Sequence, residues 1–298
     1  MYKEEQIKQL FGDEALDYLK NKNQGGTNNQ KGTDYETNFT VYQLALLSKR
    51  AIEENELIKF YTQVPAFVDD LLIEFADSNI FYHYQLKSGT SITWGKGLKS
   101  IADDFKKQQE LNLANSKTSN LYLVVSVHNL CAALNQNIPN KIKSYSQVIY
   151  FPPEPNLVKI IEQEPAFREA IEYLSAFENP APDKIECVVT VLLGAWLCSD
   201  KSGISLMDIL KKAQKSTPSY ICSFSQERQL DPQVENILSN IDNFSYNLTK
   251  GFLHWSYRDG LEEGTLPYSI DTDRFRQFQE LLEKNNPTSF EQLEVFLI

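Results

Sequence analysis

Fourteen residues separate Asp70 from the triplet Gln85-Leu86-Lys87. In a β-strand, side chains two apart share a face, so Gln85 and Lys87 fall together, with Phe81 and His83 further along. Asp70 shares its face with Leu72 and Glu74, while Leu71, Ile73 and Phe75 make an apolar side. Asp77-Ser78-Asn79 is turn chemistry, so the two segments read as a hairpin that brings a carboxylate, an amide oxygen and an ammonium to one point. Metal-assisted phosphodiester hydrolysis needs such a set. Mg²⁺ takes oxygen ligands, usually one or two carboxylates with water and phosphate completing the shell. It polarises the scissile phosphate and acidifies a bound water, and a nearby lysine orients that water and stabilises developing charge. The plain alternative is that Asp69 and Asp70 cap a strand start, and that Gln85 and Lys87 form an exposed strand face.

The elements that must position these residues follow from the apolar pattern. A helix is expected over residues 3–20, and the polar stretch Asn21 to Thr33 reads as a mobile loop. Asp34 can cap a helix from Tyr35 to about Glu54, with Phe39, Tyr42, Leu46, Leu47 and Ile52 at helical spacing. Strands are expected at 59–64, 66–75 and 79–87, then an amphipathic helix at 98–113. Leu121 to Val127 and Gln147 to Phe151 are apolar runs typical of strands covered on both faces. The sum is an α/β layered core. Beyond Pro153 the pattern turns to helices at 156–177, 182–199 and 205–215, extended segments at 244–255 and 266–270, and a last helix at 271–284. That outline suggests a mainly helical, winged-helix domain over 154–298 after a core domain over 1–153.

Composition narrows the chemistry. Four cysteines without a CxxC pair and three scattered histidines disfavour a zinc or histidine metal centre. GxSxG and Walker signatures are absent. No stretch reaches 18 apolar residues and the first residues lack a signal peptide's apolar middle, so a cytoplasmic, non-membrane protein is expected. Residues 1–150 carry 16 Lys+Arg against 17 Asp+Glu, whereas 151–298 carry 13 against 23. An acidic half repels phosphate backbones, so any DNA contact belongs to the first half. His83 is a substrate contact or a buried structural histidine, and Trp94 a stacking platform or a packing anchor. Lys96, Lys99, Lys106 and Lys107 could track a DNA backbone, although Asp103, Asp104 and Glu110 dilute them.

An Asp followed by QxK, after a helix bearing Glu36, resembles the PD-(D/E)xK nuclease superfamily in its Mrr-like variant, where Gln replaces the second acidic residue. The string QKGTDYETNF…VDDLLIEF…YHYQLKSG more narrowly resembles the double-stranded-DNA endonuclease domain of bacterial antiphage effectors. That domain occurs in CBASS effectors joined to a nucleotide-sensing SAVED domain, and related nucleases serve Lamassu-type and HerA-linked systems. The resemblance covers roughly residues 30–151, and no proline directly precedes the Asp, Pro65 lying further back. It implies a restriction-endonuclease-like α/β core, a mixed central sheet flanked by helices. Glu36 would be the outer metal ligand, Asp70 the central one, Gln85 the amide-oxygen ligand and Lys87 the water-activating lysine. The Leu86 carbonyl is a further candidate ligand, and Asp69 competes with Asp70.

The expectation is therefore a Mg²⁺-dependent endonuclease, with Mn²⁺ able to substitute, that cuts double-stranded DNA in antiphage defence. The acidic C-terminal half is better suited to self-association or docking than to DNA, so homo-oligomers and activation by a separate SMC/ABC-like or HerA-like ATPase are expected. The alternatives are a catalytically inactive DNA-binding or scaffold subunit with a decayed nuclease core, and a sequence-specific restriction nuclease. The last lacks a recognition module of suitable charge.

Overall fold

A computed structural model describes residues 3–26, 30–62, 64–225 and 229–297. Its helices and strands follow one another as α1 (Glu4–Phe11), α2 (Asp13–Gly26), α3 (Gln30–Glu53), β1 (Ile58–Tyr61), β2 (Leu71–Phe75), β3 (Ile80–Lys87), α4 (Ile101–Ala114), β4 (Thr118–Val125), α5 (His128–Gln136) and β5 (Ser146–Tyr150). Then come α6 (Leu157–Gln163), α7 (Pro165–Leu174), α8 (Pro182–Leu197), β6 (Ser202–Ser205), α9 (Leu206–Gln214) and α10 (Pro232–Ser239). The chain closes with β7 (Phe244–Thr249), β8 (Phe252–Tyr257), β9 (Glu262–Thr265), α11 (Asp273–Asn285) and α12 (Phe290–Leu293). Two compact units result. One holds the residues up to Phe167 together with Trp196–Ile209, and the other holds Arg168–Ala195 with the residues from Leu210 onward.

The first unit is an α/β core on a six-stranded mixed sheet, ordered β5-β4-β3-β2-β1-β6. β3, β4 and β5 run parallel, while β1–β2, β2–β3 and β1–β6 are antiparallel. The β2–β3 hairpin forms as its turn residues imply, with Asn79 taking the left-handed conformation that Asn tolerates better than most residues (φ 51°). Parallel strands require a crossover, and α4 supplies it between β3 and β4, capped by Ser100 accepting from the Asp103 N–H at 3.2 Å. Leu121, Leu123, Val124 and Val125 are all fully buried, so β4 is covered on both faces. On one face Phe39 of α3 meets Tyr84 and Phe151 edge-on, at 5.2 and 5.1 Å between ring centres. On the other, His83 is buried beneath α4, its Nδ1 3.0 Å from the Val68 carbonyl and its Nε2 3.5 Å from Nε2 of Gln108 on α4.

Several boundaries differ from the sequence expectation, each for a local reason. The first helix breaks at Gly12, whose φ of 83° ends α1. The expected loop at 21–33 is helical up to Gly26 and again from Gln30, and residues 27–29 lie outside the described ones. Asp34 consequently sits inside α3 and does not cap it. β2 begins only at Leu71, since residues 64–70 form bends against α4. The helix expected at 156–177 splits at Glu164-Pro165, because the residue before proline is disfavoured in helical geometry. The stretch 202–205, for which no element is expected ahead of the helix at 205–215, pairs with β1 as the edge strand β6, and the helix starts at Leu206.

The second unit combines helices with a three-stranded antiparallel sheet, β7-β8-β9. The extended segment expected at 244–255 folds back at Lys250-Gly251 into two strands, both residues having positive φ. The strand expected at 266–270 does not form. Leu266 is fully buried in a core with Leu253, Phe275, Leu282 and Phe290, and the third strand lies at 262–265 instead. Among the described residues no helix is long and apolar enough to cross a membrane.

Candidate functional site

The site lies where β2 begins and β3 ends. The hairpin pairs Leu71 with Tyr84 and Leu72 with His83, which sets Asp70 beside Gln85. One oxygen of Asp70, Oδ2, accepts from the Gln85 side-chain Nε2 and from the Leu86 backbone N–H, the latter at 2.6 Å. Asp70 is thereby fixed to the strand that carries Gln85 and Lys87.

Gln85 is buried, 3% exposed, so it is part of no open strand face. Its amide orientation is dictated by its neighbours. An ionised carboxylate only accepts and an ammonium only donates, so Nε2 must face Asp70 and Oε1 must face Lys22, whose Nζ lies 2.9 Å away. Lys22, from α2, also reaches the Phe67 carbonyl and forms ion pairs with Asp69 at 3.1 Å and Asp104 at 3.4 Å. Burial works against the Lys22 charge, but Asp69 and Asp104 outweigh it and hold the ammonium protonated. The Tyr18 hydroxyl donates to Asp104 at 3.0 Å. Asp69 and Asp70 are thus separated in role: the first pairs with Lys22, the second with β3.

Neither Lys22 nor Asp104 stood out in the sequence. Lys22 sits in a polar, glycine-containing stretch, and Asp104 is one of several acidic residues on an amphipathic helix. A buried charge pair between residues 82 positions apart leaves no local pattern.

Glu36 enters from the N-terminal part of α3. Burial and the repulsion of Asp70 push its carboxyl up to about 8, with Lys87 pulling the other way. Among the described residues neither the Glu36 carboxyl nor the Lys87 ammonium has a hydrogen-bond or ion-pair partner. Burial and the repulsion between the Glu36 and Asp70 carboxyls, offset only in part by Lys87, make an environment that a divalent cation would relieve. Their donors are hard oxygens, suited to Mg²⁺ or Mn²⁺ rather than zinc. No group of three or more His, Cys, Asp or Glu side chains gathers among the described residues, so Glu36 and Asp70 would be the protein carboxylates of any such centre. Gln85 would contribute its oxygen only after leaving Lys22.

The remaining candidates have structural partners. His83 is fully buried, and because Nδ1 faces a carbonyl it must carry the proton there. Trp94 is buried, donates to the Leu134 carbonyl at 3.0 Å and packs edge-on against Phe105. On α4, Lys107 pairs with Asp103 at 2.8 Å and Lys106 with Glu110 at 3.4 Å. Beside Glu36 opens a cavity of about 330 Å³, bordered by α3, Thr62 and the segment leading into β6.

Comparison with known proteins finds no matching family model, no similar curated protein and no similar solved structure.

Proposed function

We propose that this chain is a Mg²⁺-dependent endonuclease of the PD-(D/E)xK type in its QxK form, acting on double-stranded DNA in bacterial antiphage defence. One observation carries this reading: the Glu36 carboxyl on α3 feels the charges of both Asp70 and Lys87, and Gln85 is bonded to Asp70. The mixed sheet with α3 on one face and α4 as the parallel crossover suits a restriction-endonuclease-like core.

In this reading Glu36 and Asp70 hold the metal. The ion, when bound, polarises the scissile phosphate and makes a coordinated water more acidic. Asp70 is oriented for this by the N–H groups of Gln85 and Leu86. Lys87, having no ion-pair partner among the described residues, is free to orient the attacking water and to stabilise negative charge on the phosphate. A nuclease of this kind would be toxic if always active, so a resting state released by a separate ATPase subunit of the SMC/ABC or HerA type belongs to the proposal, as do self-association and a cytoplasmic location. A second reading, a scaffold subunit with a decayed centre, is favoured by the Gln85 oxygen being engaged by Lys22.

Plasmid cleavage separates the two. With Mg²⁺ or Mn²⁺ the wild type should nick or linearise plasmid, EDTA should stop it, and Asp70→Ala and Lys87→Ala should each abolish it while keeping the wild-type melting profile. Wild type and Lys87→Ala protecting cells equally, in the presence of the native partner genes, would falsify the catalytic reading.

A further inference from the structure

The cavity beside Glu36 is built partly from residues that follow α8. Tyr61 of β1 pairs with Ser202 of β6, and the register shifts between Phe60 and Tyr61. The Thr62 N–H donates to the Lys201 carbonyl at 3.0 Å, extending the pairing toward the site. Gly203 makes this approach possible. Its φ is 123°, and a Cβ there would stand 2.4 Å from the Tyr61 ring. A side chain at position 203 would have to displace the Tyr61 ring or move β6, and with it Lys201 and Ser202.

Within the groove, the Lys201 ammonium lies over the ring of buried Trp196, 5.3 Å from its centre, which fixes the side chain without neutralising it. Among the described residues Lys201 has no ion pair, and the hydroxyls of Thr37, Thr62 and Ser202 have no hydrogen-bond partner. The Thr40 hydroxyl is used, donating to the Glu36 carbonyl at 2.8 Å. Asp200 is exposed at the rim, and its Oδ1 accepts the Ser202 N–H at 3.0 Å. One unpaired cation with three unpaired hydroxyls is a donor set for a singly charged oxyanion. β6 is two strands from β2, a separation of about 10 Å at ordinary strand spacing, short enough for one nucleic-acid strand to reach both places.

We propose that this groove holds a backbone phosphate of the DNA flanking the one that is cleaved, with Lys201 as its cationic contact and Thr37, Thr62 and Ser202 as hydroxyl donors. The proposal rests on the nuclease reading above and adds a substrate contact from a segment beyond residue 153.

The test uses the full chain carrying Asp70→Asn, so that DNA is bound but not cut, with Ca²⁺ and a short fluorescent duplex. Adding Lys201→Ala should weaken binding about three- to tenfold and reduce the slope of log Kd against log salt by about one. Lys201→Arg should retain most of the affinity. In the Asp70-containing enzyme with Mg²⁺, Lys201→Ala should raise KM by a similar factor and leave kcat near wild type. Unchanged affinity and salt slope in a Lys201→Ala protein that still melts like its parent would overturn the groove assignment and leave the nuclease reading intact. If the Asp70→Asn parent binds no duplex and the wild type cuts none, both fall together.

Discussion

Lys22 Nζ lies 2.9 Å from Gln85 Oε1, so a residue of the second helix decides which end of the Gln85 amide faces Asp70. The same ammonium balances Asp69 and Asp104. Rotating the amide so that its oxygen faces Asp70 would turn Nε2 toward Lys22, donor against donor. Gln85 therefore acts on Asp70 through its N–H while Lys22 is in place.

Replacing Lys22 by Met should leave two buried carboxylates without their cation. Truncating one partner of a buried pair costs roughly 3–5 kcal/mol, so the urea midpoint at neutral pH should fall steeply. The double change Lys22→Met with Asp69→Asn should recover a large part of the loss. A Lys22→Met protein within about 1 kcal/mol of wild type would show that the ion pairs contribute little.

Glu36 gives a pH signature in the absence of metal. Its carboxyl is raised from an ordinary 4.5 to about 8 by burial and by Asp70. The folded state keeps a proton that the unfolded chain releases, so this contribution to stability is present below 4.5 and is lost as pH rises to about 8. Glu36→Gln cannot lose that proton. In EDTA, thermal melts across this range should show the variant gaining on wild type as pH increases. Added Mg²⁺ should close the gap by stabilising only the wild type. Parallel curves for the two proteins would contradict the crowding of carboxylates at this site.

His83 titrates with the opposite sign. Burial depresses it from 6.5 to about 4, so on acidification the unfolded chain takes up a proton before the folded one does. Stability from this group is present above 6.5 and falls as pH drops toward 4, by on the order of 3 kcal/mol if the whole shift is expressed. His83→Gln should flatten that part of the acid limb in denaturant titrations, measured as the difference from wild type. Because His83 lies under α4 and not in the groove, the variant should retain whatever metal binding the parent has, read by Mn²⁺ titration.

Much of the frame was legible in the chain. The β2–β3 hairpin, the crossover helix and the strand covered on both faces follow from turn residues and from apolar periods of two and 3.6, which act between near neighbours. Those same periods set Asp70 next to Gln85, because hairpin register depends only on the short turn between them. Four things were decided by tertiary structure alone: the Lys22 bridge to Asp69, Asp104 and Gln85, the amide orientation that it imposes, the burial that lifts Glu36, and the edge position of β6. Each depends on residues far apart in sequence arriving at one place. β6 shows the reason most plainly: a four-residue strand has no period to read, and only the unpaired edge of β1, with a glycine able to pass Tyr61, gives those residues a partner.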